Sequence, residues 1–143
     1  MIRVAFRYGD KRLFARVVCL LQGGDTAHCE VAVAWNQGFH ECISSSFLDK
    51  GVRRKVINLV PSKWRIYELD MSAVVVEKWY AQNKGAGYDL LGLAGFVIRR
   101  IKGWMRKKFC SEAGAEIIGL PDPWRYDPAL LESVCARFGR RAQ

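Results

Sequence analysis

The sequence predicts an α+β fold, a central antiparallel sheet packed against helices, on three observations. Segments in the first half alternate apolar and polar residues at the period of a strand. Segments nearer the two ends repeat at the period of a helix. Clusters of Gly, Asn and Asp separate the two kinds.

Taken in order, Ile2-Arg3-Val4-Ala5-Phe6 alternates and reads as a first strand. From Lys11 to Leu21, helical spacing brings Leu13, Phe14, Val17, Val18 and Leu21 together, and Gly23-Gly24 ends the helix. His28 to Trp35 alternates again, Asn36-Gln37-Gly38 turns the chain, and Phe39 to Ser44 returns antiparallel. Asp49-Lys50-Gly51 makes a second turn before a strand from Val52 to Val60, and Trp64 to Leu69 forms another. Ser72 to Asn83 reads as a helix burying Val75, Trp79 and Tyr80. Asp89 caps a helix running into Arg99-Arg100, followed by a loop over Gly103 to Lys108. Cys110 to Ile118 is a short helix stopped by Gly119. Asp127 as N-cap and Pro128 at the first helical position start the last helix, which ends at Phe138.

A chain of 143 residues, half of them hydrophobic, suits a single domain over residues 1–143 with a proper core, and disorder is excluded. The net charge of +9 gathers in Arg53-Arg54-Lys55, Arg99 to Lys102, Arg106-Lys107-Lys108 and Arg140-Arg141. Such a surface favours anionic partners, although a solvated basic face without a ligand accounts for the same charge. No nucleic-acid reading motif accompanies it, so no specific nucleic-acid partner is expected. The cysteines, Cys19, Cys29, Cys42, Cys110 and Cys135, are five in number and scattered. Their spacing suits neither zinc nor a disulfide scaffold, so no metal or cofactor is expected and a reducing compartment fits best. The N-terminus lacks a signal-peptide core, and the longest apolar stretch, Leu90 to Ile98, is about half the ~20 residues of a membrane helix. The protein is therefore expected to be cytoplasmic as synthesised, with no transmembrane segment.

Two short elements carry chemistry. In Phe109-Cys110-Ser111-Glu112 a thiol opens a helix, where unpaired N–H groups and the helix dipole stabilise a thiolate. The N–H groups of Cys110 and Ser111 are candidates for an oxyanion hole. In Ala27-His28-Cys29-Glu30 an imidazole opens a strand, with Glu30 and Ala32 as its period-2 neighbours. A Cys with a sequence-distant His outlines a nucleophile and its base, here Cys110 and His28. A third polar group should orient the imidazole. The returning strand offers Ser44 as the preferred orienter and His40 as the next, while Glu41 points the other way. Cys29 is expected to pack inside.

Three stretches, Ala27-His28-Cys29-Glu30-Val31, Tyr88-Asp89-Leu90-Leu91-Gly92 and Phe109-Cys110-Ser111-Glu112, together resemble the circularly permuted branch of the NlpC-type papain-like superfamily, which includes YiiX-like and lecithin:retinol acyltransferase-like proteins. The segment from Ser44-Ser45-Ser46 to Lys50-Gly51-Val52-Arg53 is similar to a bacterial and phage subgroup. That branch carries the His strand first and the Cys helix last. The resemblance implies a papain-like sheet-and-helix fold, Cys110 as nucleophile, His28 as base, and Tyr88 near the thiol as an oxyanion or substrate contact. The family's third polar residue is often His or Glu; here its place falls to Ser44.

These readings lead to a cysteine peptidase or amidase working through a thioester, with peptidoglycan peptide as the preferred substrate and delivery on lysis or in a phage particle. Two alternatives stand beside it. One is a lipid-directed acyl hydrolase or acyltransferase, suggested by Phe96, Ile98, Ile101, Trp104 and Met105 interleaved with Arg99, Arg100, Lys102 and Arg106. The other is a weakly active or inactive phage or bacterial binding or assembly protein with the same fold.

Overall fold

In a computed structural model of the chain, residues 1–88 and 107–142 are described. Their strands are β1 (Ile2–Tyr8), β2 (Thr26–Asn36), β3 (Phe39–Ser46), β4 (Gly51–Asn58), β5 (Trp64–Leu69), β6 (Gly87–Tyr88), β7 (Lys107–Lys108) and β8 (Arg140–Ala142). The helices are α1 (Leu13–Gln22), α2 (Ala73–Asn83), α3 (Cys110–Ile117) and α4 (Pro128–Phe138), with a 3-10 turn at Pro123–Arg125. The predicted helix from Asp89 to Arg99-Arg100, most of the loop after it, and the interleaved stretch 96–106 lie outside the described residues.

The strands form one sheet in the order β7-β6-β4-β3-β2-β1-β5-β8, antiparallel between neighbours except for β6 and β7. The α+β class follows directly from the sequence periods. Alternation along β1 sends Ile2, Val4 and Phe6 to the main core, where they meet Cys29, Val31, Ile43 and the buried faces of α3 and α4. Ala5, Ala32 and Cys42 face the other way, with Leu59, Trp64 and Ile66.

Two helical faces differ from the expected ones. Val18 of α1 is fully buried, but Leu13 and Val17 point outward. In α2 the buried valine is Val76, and Val75 is exposed. In both cases a run of apolar residues fits more than one 3.6-residue phase, and packing against the sheet selects the phase. The short strand β8 pairs Arg140 and Arg141 with Glu68 and Tyr67 of β5, an edge pairing that a basic terminal sequence does not announce.

Two glycines set the site. Gly114 is wedged between layers: a Cβ there would lie 2.9 Å from Leu131 Cδ2 of α4 and 3.4 Å from Cys29 Sγ of β2. Its small size lets α3 settle onto β2, and Cys110, one turn earlier on the same helical face, is carried to the strand with it. Gly51 has φ 150°, and a Cβ there would collide with the Ala86 carbonyl oxygen at 2.1 Å. That close approach allows Val52 N–H to donate to Ala86 O at 2.8 Å and seats Tyr88 of β6 between β4 and β7.

Candidate active site

His28 lies where β2 is bulged. Arg7 pairs with His28 and Tyr8 with Thr26, so Ala27 is an extra residue on β2. Regular alternation would send His28 and Cys29 to opposite faces. Both nevertheless reach Cys110: Cys29 Sγ donates to the Cys110 carbonyl at 3.1 Å, and the His28 imidazole interacts with the Cys110 thiol. His28 therefore meets a sulfur contributed by a helix 82 positions later in the chain.

Behind the imidazole stands a buried ionic chain. His28 Nε2 is 2.7 Å from Glu30 Oε1, and Glu30 is 1 % exposed. Arg53 from β4 grips Glu30 with both terminal nitrogens, one of them at 2.7 Å from Oε2. Arg53 Nε in turn donates to Asp49 Oδ2 at 2.9 Å. Because Nε2 is engaged by a carboxylate, Nδ1 is the ring nitrogen left to face the thiol.

The electrostatics follow from these neighbours. Burial opposes a charge on His28, but the negative charges of Cys110 and Glu30 outweigh it and push the imidazole up to about 10. Burial likewise opposes a thiolate on Cys110, but a hydrogen bond from Cys29 and the charge on His28 pull it down to about 5. Cys29 is raised well above the ordinary thiol range by its hydrogen bond to Cys110 and by burial, so it stays protonated and can donate. Glu30 is lowered despite its burial, through Arg53 and His28. Imidazolium and thiolate each favour the other's charge.

Ser44, expected as the orienter, has a different part. Its hydroxyl donates to the Cys29 carbonyl at 2.7 Å and to the Ser45 carbonyl at 3.3 Å, so it braces the β2 backbone and the ring's partner is Glu30. His40 is also corrected. It sits near the β2–β3 turn, with Nδ1 3.0 Å from Gly38 O, Nε2 3.2 Å from Arg3 Nη1, and its ring stacked on Trp35. The seven residue-to-residue steps from His28 to Trp35 span roughly 23 Å of strand. Glu30 was visible in the sequence as the period-2 neighbour of His28; the missing signal was Arg53, without which a buried carboxylate is improbable. Ser44→Ala is expected to cost about 1 kcal/mol in a denaturant melt and to leave the pH dependence of the Cys110 thiolate unchanged.

His28, with 21 % of its side chain exposed, lines a cleft of about 180 Å³. Phe14, Phe47, Leu48 and Tyr88 form its apolar wall, and Asp10, Arg12 and Ser46 its polar rim. Tyr88 is buried among Phe14, Phe47 and Phe109, with ring centroids 5.4 Å apart from Phe109. Cys110 is 1 % exposed. Ser111 is fully buried, and its hydroxyl has no hydrogen-bond partner among the described residues. Lys108 anchors the approach to α3: its carbonyl accepts from Ser45 Oγ, and its ammonium pairs with Glu116 at 2.5 Å.

Among the described residues no group of His, Cys, Asp and Glu has the arrangement of a metal site, and no helix is long and apolar enough to cross a membrane. No protein-family model matches the chain, and no curated protein is significantly similar to it.

Proposed function

We propose that the protein is a cysteine hydrolase or acyltransferase of the permuted NlpC-type papain-like kind, with Cys110 as nucleophile, His28 as base and Glu30 as the group that orients the ring. The observation that carries this reading is the contact of His28 with Cys110, backed by the buried Glu30–Arg53 ion pair. A buried ionic chain ending on an imidazole beside a depressed thiol is costly to maintain unless its polarity is used.

In the proposed reaction the Cys110 thiolate attacks the carbonyl carbon of an amide or ester. The resulting oxyanion is met by the N–H groups that open α3. Imidazolium gives its proton to the departing amine or alcohol, leaving a thioester on Cys110. Neutral His28 then takes a proton from water, or from an acceptor alcohol, as that oxygen attacks the thioester, and the thiol group is returned as thiolate with His28 protonated.

The apolar cleft wall favours an acyl chain over the strongly charged wall peptide that net charge alone suggests. Lipid-directed chemistry is thus the substrate reading we prefer, and peptidoglycan peptide is the second.

Titration of the thiolate's ultraviolet absorbance, taken as the difference between the protein and Cys110→Ser, tests the site. The signal is expected to persist down to about pH 5 and to vanish below it. A midpoint near that of an ordinary thiol would remove Cys110 as an activated nucleophile. The reactive ion pair should exist between about pH 5 and about pH 10. The signs agree with linkage. Raised His28 stabilises the fold below its free value and loses that contribution as pH climbs through about 10. Depressed Cys110 stabilises the fold at alkaline pH and loses its contribution as pH falls through about 5.

A further inference from the structure

The geometry points to α1 and the β3–β4 turn as a docking surface for an anionic lipid bilayer, placed so that the cleft opens beside the membrane. The outward face of α1 carries Leu13, Val17 and Leu20 at i, i+4 and i+7, with Leu13 78 % and Leu20 81 % exposed. Leu48, 69 % exposed at the tip of the β3–β4 turn, extends the apolar surface. The two parts are one body, because Phe14 stacks on Phe47 with ring centroids 4.6 Å apart and planes 11° from parallel. Phe14, Phe47 and Leu48 also form the wall of the His28 cleft.

Charge selects the occupant. Residues 11–24 contain Lys11, Arg12 and Arg16 and no carboxylate. Lys11 and Arg16 are exposed and have no ion-pair partner among the described residues, while Arg12 is held by Asp10. These cations crowd the N-terminal end of α1, where the helix dipole favours anions, and Arg12 at the N-cap makes no side-chain cap. The arrangement weakens an isolated helix and suits one that meets phosphate headgroups. An apolar stripe edged by cations is the form of an interfacial helix. A neutral protein groove would match the leucines and leave the cations unanswered.

This inference does not depend on the catalytic proposal. Binding should be the same for the protein and for Cys110→Ala, so failure of one leaves the other standing. The test is co-sedimentation of the full chain with vesicles of phosphatidylcholine alone and of phosphatidylcholine mixed with phosphatidylglycerol. Binding is expected to the anionic vesicles, to weaken steeply with salt, and to fall about tenfold or more in Leu13→Gln/Leu20→Gln. Lys11→Gln/Arg16→Gln should lose the preference for anionic lipid. Phe138→Gln, which alters an exposed apolar residue at the end of α4, should bind like the parent. Thermal melts of each variant check that it is folded, as substitutions of exposed side chains should be. Absence of binding to anionic vesicles at low salt overturns the proposal. So does binding that survives intact in the folded Leu13→Gln/Leu20→Gln variant, which would assign it to another surface. A lipid-free dimer that this variant dissolves, with no vesicle binding by the parent, would make the same face a protein interface and equally overturn it.

Discussion

Cys110→Ala is expected to abolish labelling by a thiol-directed acylating probe and to lower turnover of an ester substrate roughly 10⁴-fold or more, the scale on which loss of a nucleophile is felt. The other four thiols should not substitute. Cys42 is pushed above the range of an ordinary thiol by burial and by Glu30, Cys135 up to about 12 by burial and Glu132, and Cys19 and Cys29 are also raised. Among the described residues, Cys110 alone has both a cation, His28, and a thiol donor, Cys29, beside it. The same variant carries an independent readout. With the Cys110 charge gone, His28 loses the largest of the influences that raise it and should titrate at lower pH, as followed by NMR of its ring protons. Labelling that persists in Cys110→Ala, or an unmoved His28, would break the assignment.

Arg53→Met should produce the largest loss of stability, about 3–5 kcal/mol, as expected when one partner of a buried ion pair is removed. Methionine fills much of the aliphatic space, so the cost falls on Glu30. That carboxylate is 1 % exposed and, among the described residues, would keep only His28 as a partner. Chemical denaturation measures the effect, with a lowering of the melting temperature on the order of 10 °C. The direction has a second consequence. Glu30 deprived of Arg53 should become easier to protonate, so the variant should lose stability at a higher pH than the parent as acid is added. A variant within about 1 kcal/mol of the parent would mean that Glu30 is not held ionised by Arg53, and the orienting role given to it would fall.

Much of this arrangement could be read from the chain. Alternation in Ile2–Phe6, His28–Trp35 and Phe39–Ser44 locates the strands, because a half-buried sheet enforces period 2. Asp127-Pro128 marks the start of α4, where Asp127 Oδ1 accepts from Leu130 N–H at 2.8 Å. Cys110 at the first turn of α3 was equally legible, since the N-terminal boundary is written in local residues.

What failed were choices that local sequence leaves degenerate. Ser44 and Glu30 were both reasonable neighbours of His28, and only Arg53, arriving from β4, makes a buried Glu30 tenable. The outward turn of Leu13 and Val17 depended on which phase of α1 the sheet could accept. The meeting of His28, Cys29 and Cys110 depended on the closeness of α3 to β2 that Gly114 permits.

The amino-acid sequence by itself determined the α+β class, the strand and helix segments, and a thiol at one helix start with an imidazole at one strand start. Those features are set by backbone periodicity and by capping, which act over a few residues. The tertiary structure alone decided that the two groups become one electrostatic unit, with Glu30 and Arg53 behind it and an apolar cleft beside it. Charge coupling falls off with distance through space, and that distance is created only when strands and helices far apart in the chain pack together.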